Sequence, residues 1–391
     1  MSAATRRFLT VYYGYVFLFD FVLCYAIYTA YFELNGLSYA QIGVLLAFWS
    51  GSALVLEIFT GALSDWLDRR WLLIAAPAIK IATFVCWALA DGNLWLYGLG
   101  FACWSLAGAL VSGTGEALLH ERLQSEGEER AFGRVYGRAV AAQSVGIGAG
   151  FLGGGFVAAT DMTLTVWLSI PPLVVASLLA FLLTDIRRTA EREDEPGYFQ
   201  TIRLALGEFR GAPNLRFVTL YIALGLTIFG ELEEFDQLYY TAVSLPTWLF
   251  GVAGAIGLGV RALLGMHAHR LSRMKSLAWT LPILGGALLV VAALGANVYY
   301  VVVLEAAYLV AIPTEILSKA HFQHLLESQA RATSTSVLEF SQNASGLVLA
   351  VAFGALASAV GILPAYGWAG ISIIPTFLLI WWRQPAGSRV F

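Results

Sequence analysis

Long apolar stretches alternate with short polar ones along the chain, and this pattern predicts most of its structure. Each apolar stretch has about the 20 residues that an α-helix needs to cross a bilayer. The sequence therefore predicts an all-α integral membrane protein with twelve transmembrane helices. We place these spans, numbered one to twelve, at residues 9–33, 40–64, 71–91, 94–120, 133–159, 162–185, 214–242, 246–270, 275–297, 298–322, 331–360 and 362–383.

The composition agrees with this prediction. Of 391 residues, 59% are hydrophobic and 13% charged, and the mean hydropathy is +0.72, which excludes a soluble domain of this length. Cys24, Cys86 and Cys103 lie within apolar stretches, which indicates packing rather than a disulfide or a metal site. Arg6 and Arg7 precede a stretch long enough to span, so no cleavable signal peptide is expected. The five histidines lie at helix ends, and no metal or cofactor site is predicted.

Lysine and arginine fall in alternate loops. The other loops, near residues 34–39, 92, 160–161, 243–245, 297 and 361, contain neither residue. Because cytoplasmic loops retain positive charge, both termini are predicted to be cytoplasmic in a multi-pass protein of the inner (plasma) membrane.

The longest polar stretch separates two halves of six spans each. We expect an N-terminal bundle at 1–185, a cytoplasmic linker at 186–213 and a C-terminal bundle at 214–391. The linker contains the sequence RRTAEREDEPG, which is typical of a solvated tether.

The loop GALSDWLDRR, residues 61–70, lies between spans two and three. Gly61 allows two helix ends to approach closely, and Asp65 can accept hydrogen bonds from a helix N-terminus. Arg69 and Arg70 hold the loop in the cytoplasm. The same spacing returns in the second half, which indicates an internal repeat. The second copy consists of Gly265, His269 and Arg273.

This loop resembles the one between helices two and three of the major facilitator superfamily, whose pattern is Gly-x-Leu-x-Asp-Arg-x-Gly-Arg-Arg/Lys. The matching residues are Gly61, Leu63, Asp65, Arg69 and Arg70, and the departures are Trp66 and Asp68. The resemblance implies a secondary transporter whose two six-helix bundles rock about a central site lined by spans one, four, seven and ten. It also implies that the loop closes the cytoplasmic side, with Asp65 and Arg69 in a charge network against the opposite bundle.

Span five contains GIGAGFLGGG, with Gly146, Gly150, Gly154 and Gly155 at a spacing that lets another helix approach. The stretch resembles the exporter motif Gly-x-x-x-Gly-Pro-x-x-Gly-Gly, although Phe151 replaces the proline. Plain close packing is the alternative. The segment SGTGEALL, 112–119, resembles a bacterial branch of the superfamily, and we predict a drug-efflux-like member. The antiporter arginine of that family's span four is missing.

Charged residues within spans are costly and therefore mark functional candidates. Asp20 lies midway along span one, on a face shared with Tyr13 and Phe17. This face suits a proton or a cationic, amphipathic ligand. Alternatively, a hydrogen bond or Lys80 neutralises the acid.

Two further pairs are suggested by depth in the membrane. Glu57 and Lys80 lie at similar depth in adjacent spans, as a structural pair or a gating switch. Arg261 has Glu315 or Glu339 as candidate partners on spans ten and eleven.

Span seven carries the densest charge. At 100° per residue, Glu231 and Glu234 share one side of the helix, and Glu233 and Asp236 share nearly the opposite side. The span is therefore bent, close to the outer surface, or flanked by water on two sides. We expect Glu231, Glu234, Asp236 and Tyr239 to contribute to a substrate or proton cavity. A solvated helix end is the alternative.

These features predict a transporter rather than an enzyme. We favour proton-coupled export of an amphipathic or cationic compound, with proton-coupled import of a small solute as the alternative. A receptor, scramblase or scaffold that does not transport is a third possibility. The expected partners are a small-molecule substrate, H⁺ and the lipid bilayer, without nucleic acid, and the protein is predicted to be a monomer.

Overall fold

A computed structural model describes residues 1–66, 68–183, 212–271, 276–326 and 331–384, without the side chains of 57–66, 269, 271, 331–333 and 336. Within these residues the chain is helical and contains no strand. Ten described helices are long and apolar enough to cross a membrane, and Leu277–Ala293 is a shorter apolar helix.

In the first half, several predicted spans consist of more than one helix. Spans one to six comprise Ala3–Asp20, the 3₁₀ turn Leu23–Ala26 and Tyr28–Leu34; Tyr39–Trp66; Arg69–Ala88; Leu94–Val111 and Thr114–Gln124; Phe132–Ala158; and Met162–Leu168 with Ile170–Ala180.

In the second half, span seven is the interrupted one. Spans seven to twelve comprise Pro213–Leu220, the π turn Tyr221–Leu226, Thr227–Glu233 and Asp236–Ala242; Thr247–His267; Leu277–Ala293; Tyr300–Leu325; Arg331–Val360; and Ile362–Trp382.

The chain divides into two compact units. The first consists of Met1–Thr189 and Leu245–Leu258, and the second of Ala190–Ser244 and Gly259–Phe391. The start of span eight thus groups with the first unit, whereas the sequence assigned it to the second half. Most of the predicted linker, residues 184–211, lies outside the described residues.

Glycines explain why the start of span eight packs in the first unit. A methyl group on Gly155 of span five would lie 2.8 Å from both the amide nitrogen of Gly251 and the carbonyl oxygen of Trp248. The two helices therefore approach at backbone distance, which glycine permits and a side chain would prevent.

The first unit is built around Trp87 of span three, which is fully buried. Its ring lies 5.0 Å from those of Phe32 and Phe101, and its indole N–H donates to the carbonyl of Tyr97 at 3.1 Å. These contacts join spans one, three and four, because aromatic rings contribute large buried areas and specific ring geometry.

Candidate functional site

Span one is interrupted immediately after Asp20. The sequence predicted one continuous helix, but Phe21 has ψ of 72° and a 3₁₀ turn follows at Leu23–Ala26. The backbone N–H of Cys24 donates to the hydroxyl of Ser169 at 3.0 Å. An interrupted helix within a membrane requires such partners because lipid offers none.

The glycine stripe of span five accommodates this interruption. A methyl group on Gly150 would lie 2.7 Å from the carbonyl oxygen of Val22, and one on Gly154 would overlap the backbone of Leu23. A methyl group on Gly146 would likewise overlap the backbone of Phe17. Three of the four predicted motif glycines therefore pack against the interrupted segment of span one.

Asp20 forms a buried ion pair with Lys80, the alternative that the sequence left open. The Lys80 ammonium donates to Oδ1 of Asp20 at 3.0 Å and to the carbonyl of Phe19 at 2.9 Å. Gln143 donates to Oδ2 of Asp20 at 2.6 Å, and the hydroxyl of Tyr25 donates to Oδ1 at 2.9 Å. Both charges are therefore paired and hydrogen-bonded, as burial requires.

Aromatic rings enclose the ammonium group. It lies 4.1 Å from the ring centre of Phe19 and 5.2 Å from that of Trp104, distances that allow cation–π attraction. Tyr13 donates to the carbonyl of Val135 at 3.3 Å, and the ring of Phe17 is half-buried. The rings seen to contact Lys80 are thus those of Phe19 and Trp104. The cavity role of Tyr13 and Phe17 stays a prediction.

The loop at 61–70 is described in part. The side chains of Asp65 and Glu57 lie outside the described residues, so the predicted Asp65 network, the role of Gly61 and the Glu57–Lys80 pair stay predictions. Arg69 forms an ion pair of 2.5 Å with Glu121 of span four, within the same unit.

Two neighbours of Arg69 fix the start of span three. Arg70 donates to the carbonyl of Phe181 at 2.5 Å. The carboxylate of Asp68 accepts the backbone N–H of Arg70 at 2.9 Å and so caps the helix N-terminus. The departure from the family's glycine at position 68 thus has a local structural role.

In the second unit, Asp236 is buried and accepts hydrogen bonds from two tyrosines. The hydroxyl of Tyr308 on span ten lies 2.5 Å from Oδ1, and that of Tyr366 on span twelve lies 3.0 Å from the same atom. Asp236 begins the last helix of span seven, after a turn at residues 234–235. Span seven is therefore interrupted by a turn between its charged residues.

Glu305 of span ten lies beside this group and accepts a hydrogen bond from Tyr240. No basic side chain of the described residues forms an ion pair with Asp236 or Glu305. The sequence analysis did not single out Tyr308, although it lies one helical turn after Glu305, a spacing that places the two residues on one face.

Arg261 pairs with Glu233 rather than with Glu315 or Glu339. Spans seven and eight are consecutive and antiparallel, so these two residues reach similar depth on adjacent helices. Glu315 instead pairs with Lys319 at 2.8 Å, one turn along its own helix, and Glu339 is exposed.

A small cavity lies between Arg261, Glu233, Glu315 and Tyr308. Its volume of about 20 Å³ is enough for a single water molecule. Tyr308 thus lines the cavity beside the Arg261 ion pair and also donates to Asp236.

The other residues predicted to line the cavity do not lie together. Tyr239 is fully buried and donates to the carbonyl of Ala292 at 2.8 Å, so it packs span seven against span nine. Glu234 is half-buried in the turn that interrupts span seven. Glu231 lines a different cavity, towards spans eleven and twelve.

The sequence matches the Major Facilitator Superfamily over residues 9–334, and the chain belongs to that superfamily. It is therefore a multi-pass membrane transporter and not an enzyme. The superfamily predicted from the loop at 61–70 is confirmed, whereas the drug-efflux-like branch and the cytoplasmic termini stay predictions.

The fold is similar to that of two solved transporters. The nucleoside transporter NupG has a TM-score of 0.79 at 12% identity, covering 98% of this chain and 99% of its own. A bacterial homolog of the human lysosomal transporter Spinster, in an inward-facing and unoccupied conformation, has a TM-score of 0.75 at 14% identity, covering 98% and 96%. No curated protein matches the sequence. The predicted twelve-helix architecture of the superfamily is confirmed.

Proposed function

We propose that this chain is a proton-coupled secondary transporter that exports small amphipathic or cationic compounds, and that Asp236 and Glu305 carry the coupled proton. The observation behind this assignment is that Asp236 is buried and Glu305 is half-buried in the second unit, both with tyrosine hydroxyls as hydrogen-bond partners. A buried carboxyl group without a cation is stabilised by holding a proton.

Asp20 is a weaker candidate for the coupling acid. Its charge is balanced by Lys80, and its oxygens also accept hydrogen bonds from Tyr25 and Gln143. Protonating Asp20 would leave a buried ammonium without its counter-ion, which costs several kcal/mol. The pair is therefore better suited to holding the interrupted span.

The charge balance of the second unit supports a cationic substrate. Span seven carries four carboxyl groups between residues 231 and 236, and span ten adds Glu305. Arg261 is the basic side chain seen to contact this group, through Glu233. An excess of carboxylates concentrates cations and protons. Support for export comes from the resemblance of residues 146–155 to the exporter motif.

The test is proton flux in liposomes that contain the purified protein, with an imposed pH gradient and a panel of cationic, neutral and anionic compounds. For the wild type, we expect a cationic compound to drive protons opposite to its own movement. Asp236→Asn and Glu305→Gln should abolish this coupling and retain exchange of the compound in the absence of a gradient.

Glu339→Gln is the matched control, since Glu339 is exposed and lines neither the cavity beside Arg261 nor the one beside Glu231. It should retain coupling. If the compound and protons move together, symport replaces export. If no compound couples to protons in the wild type, the proposal fails as a whole.

A further inference from the structure

A second cavity lies within the second unit, between spans seven, eleven and twelve. Its volume is about 160 Å³, and all its lining side chains except Glu231 and Ser372 are apolar. The hydroxyl of Ser372 donates to the carbonyl of Ala369 at 2.7 Å, so its proton is already used. Glu231 is therefore the main polar group available to a ligand here.

The carboxyl group of Glu231 occupies space left by a glycine. A methyl group on Gly346 of span eleven would overlap it. The side chain is half-buried, and no donor among the described residues forms a hydrogen bond or an ion pair with it. An apolar cavity thus contains one acid that lacks a protein counter-ion within the described part of the chain.

The cavity lies among exposed apolar side chains. Trp368, which lines it, is 57% exposed, and neighbouring apolar residues of spans eleven and twelve, such as Val348 and Ile371, are also exposed. In a membrane protein such a surface contacts hydrocarbon. A ligand dissolved in the bilayer can therefore reach the cavity without crossing water.

We infer that this cavity binds a small hydrophobic monocation, namely an ammonium ion carrying one aromatic ring or a short alkyl chain. An apolar cavity of about 150 Å³ holds benzene, so a single ring fits. The carboxylate of Glu231 supplies the counter-charge, and the rings of Trp368 and Phe353 can contact the cation or the ring. Anions and dications are disfavoured by one negative charge in apolar surroundings.

This inference deepens the proposed function by naming the class of cation. The role of the cavity in transport rests on the proposed function, but binding of the cation does not. Binding itself does not require proton coupling. Asp236 and Glu305 do not line this cavity. A binding experiment therefore separates the two proposals.

The experiment measures binding of benzylammonium, with benzyl alcohol as the neutral probe of the same shape, by equilibrium dialysis against purified protein in lipid nanodiscs. We expect the wild type to bind benzylammonium, and Glu231→Gln to weaken that binding at least about tenfold while leaving benzyl alcohol binding unchanged. Leu356→Trp, which fills the cavity, should weaken binding of both probes. Melting temperatures check that each variant is folded.

Glu315→Gln is the charge-matched control, because it removes a carboxylate outside the cavity. It should bind both probes as the wild type does. The inference is overturned if the wild type does not bind benzylammonium, or if Glu231→Gln binds it unchanged. The inference would also be overturned if Asp236→Asn lost benzylammonium binding and Glu231→Gln retained it, because the cation would then bind at the coupling acids.

Discussion

The ammonium nitrogen of Lys80 lies 3.0 Å from Oδ1 of Asp20, at the residue where span one is interrupted. Lys80 is 2% exposed and Asp20 is 8% exposed. A buried ion pair contributes little net stability, but removing one partner is costly because the other charge remains buried. This asymmetry allows the role of the pair to be tested.

Asp20→Asn is expected to destabilise the protein by about 3–5 kcal/mol, because it leaves the Lys80 ammonium without a counter-ion. The double variant Asp20→Asn with Lys80→Met should recover a large part of this loss. Denaturant unfolding in detergent measures both. Equal or greater destabilisation of the double variant would show that the ion pair does not hold the interruption.

Gly150→Ala is expected to destabilise the protein by about 1–3 kcal/mol, because its methyl group would lie 2.7 Å from the carbonyl oxygen of Val22. Gly153→Ala is the matched control on the same helix, since its methyl group would come no closer than 4.0 Å to Leu23. That change should be neutral or stabilising by up to about 1 kcal/mol. Thermal unfolding compares the stabilities of the two variants. Similar losses of stability would contradict the close packing of the span-five glycines against span one.

The ion pair between Arg69 and Glu121 is partly exposed, so it should contribute only about 0.2–1 kcal/mol. Arg69→Glu brings two carboxylates together and should lower the melting temperature, while Arg69→Glu with Glu121→Arg should restore it. Raising the salt concentration should reduce both effects. A double variant as unstable as the single one would argue against a direct contact.

Glu126, just after the helix Thr114–Gln124 of span four, anchors the start of the chain. Its carboxylate accepts hydrogen bonds from the hydroxyl of Ser2 at 2.5 Å, from the backbone N–H of Ser2 at 3.0 Å and from the hydroxyl of Thr5. These bonds favour the ionised form and lower the pKa of Glu126 to about 2 from its ordinary value of 4.5.

Because the pKa of Glu126 is lower in the folded protein, its contacts stabilise the fold fully above about pH 4.5, and this contribution is lost as the pH falls towards 2. The melting temperature of wild type should exceed that of Glu126→Gln by a constant amount from pH 7 to about pH 4.5. The difference should narrow below that. Glu129→Gln, a nearby exposed acid, should show no such difference, and a gap that closes above pH 5 would refute the anchor.

Replacing Gly251 tests the contact between spans five and eight in the first unit. A methyl group there would overlap the backbone of Phe151, so Gly251→Ala should destabilise the protein by about 1–3 kcal/mol. Gly259→Ala, further along span eight, has open space around it and should be neutral. Unfolding in detergent measures the stability of both variants. Equal stabilities would mean that spans five and eight do not approach at backbone distance.

The apolar pattern was sufficient to predict the spans, because each crossing must satisfy its own backbone hydrogen bonds and therefore has a length readable from sequence. The superfamily was predicted from the resemblance of the loop at 61–70. The interruption of span one was not predictable in this way. Residues 15–28 contain neither proline nor glycine, and the interruption depends on glycines more than a hundred positions away. Long-range packing, not local propensity, decides the conformation there.

In the candidate site, too, some residues could be predicted from sequence and others could not. Asp20, Lys80 and Asp236 stood out as charges within apolar stretches. Their partners did not, because Tyr308 and Tyr366 resemble ordinary aromatic residues of a span. Gln143 was the exception that could have been noticed, as an amide within an apolar helix. The partner of Arg261 could not be predicted from depth in the membrane alone, because the choice also depends on which way each helix face points.

The contact between Lys80 and the carbonyl of Phe19 has a mechanical consequence. At the interruption, a side chain of span three bonds a backbone oxygen that a continuous helix would bond internally. Lys80 also donates to the hydroxyl of Tyr25, beyond the interruption, at 3.2 Å, so the two halves of span one are joined through a neighbouring helix as well as through the chain. Rotation of the N-terminal half, Ala3–Asp20, must either break that bond or move span three with it. Motion of one segment is therefore transmitted to the others.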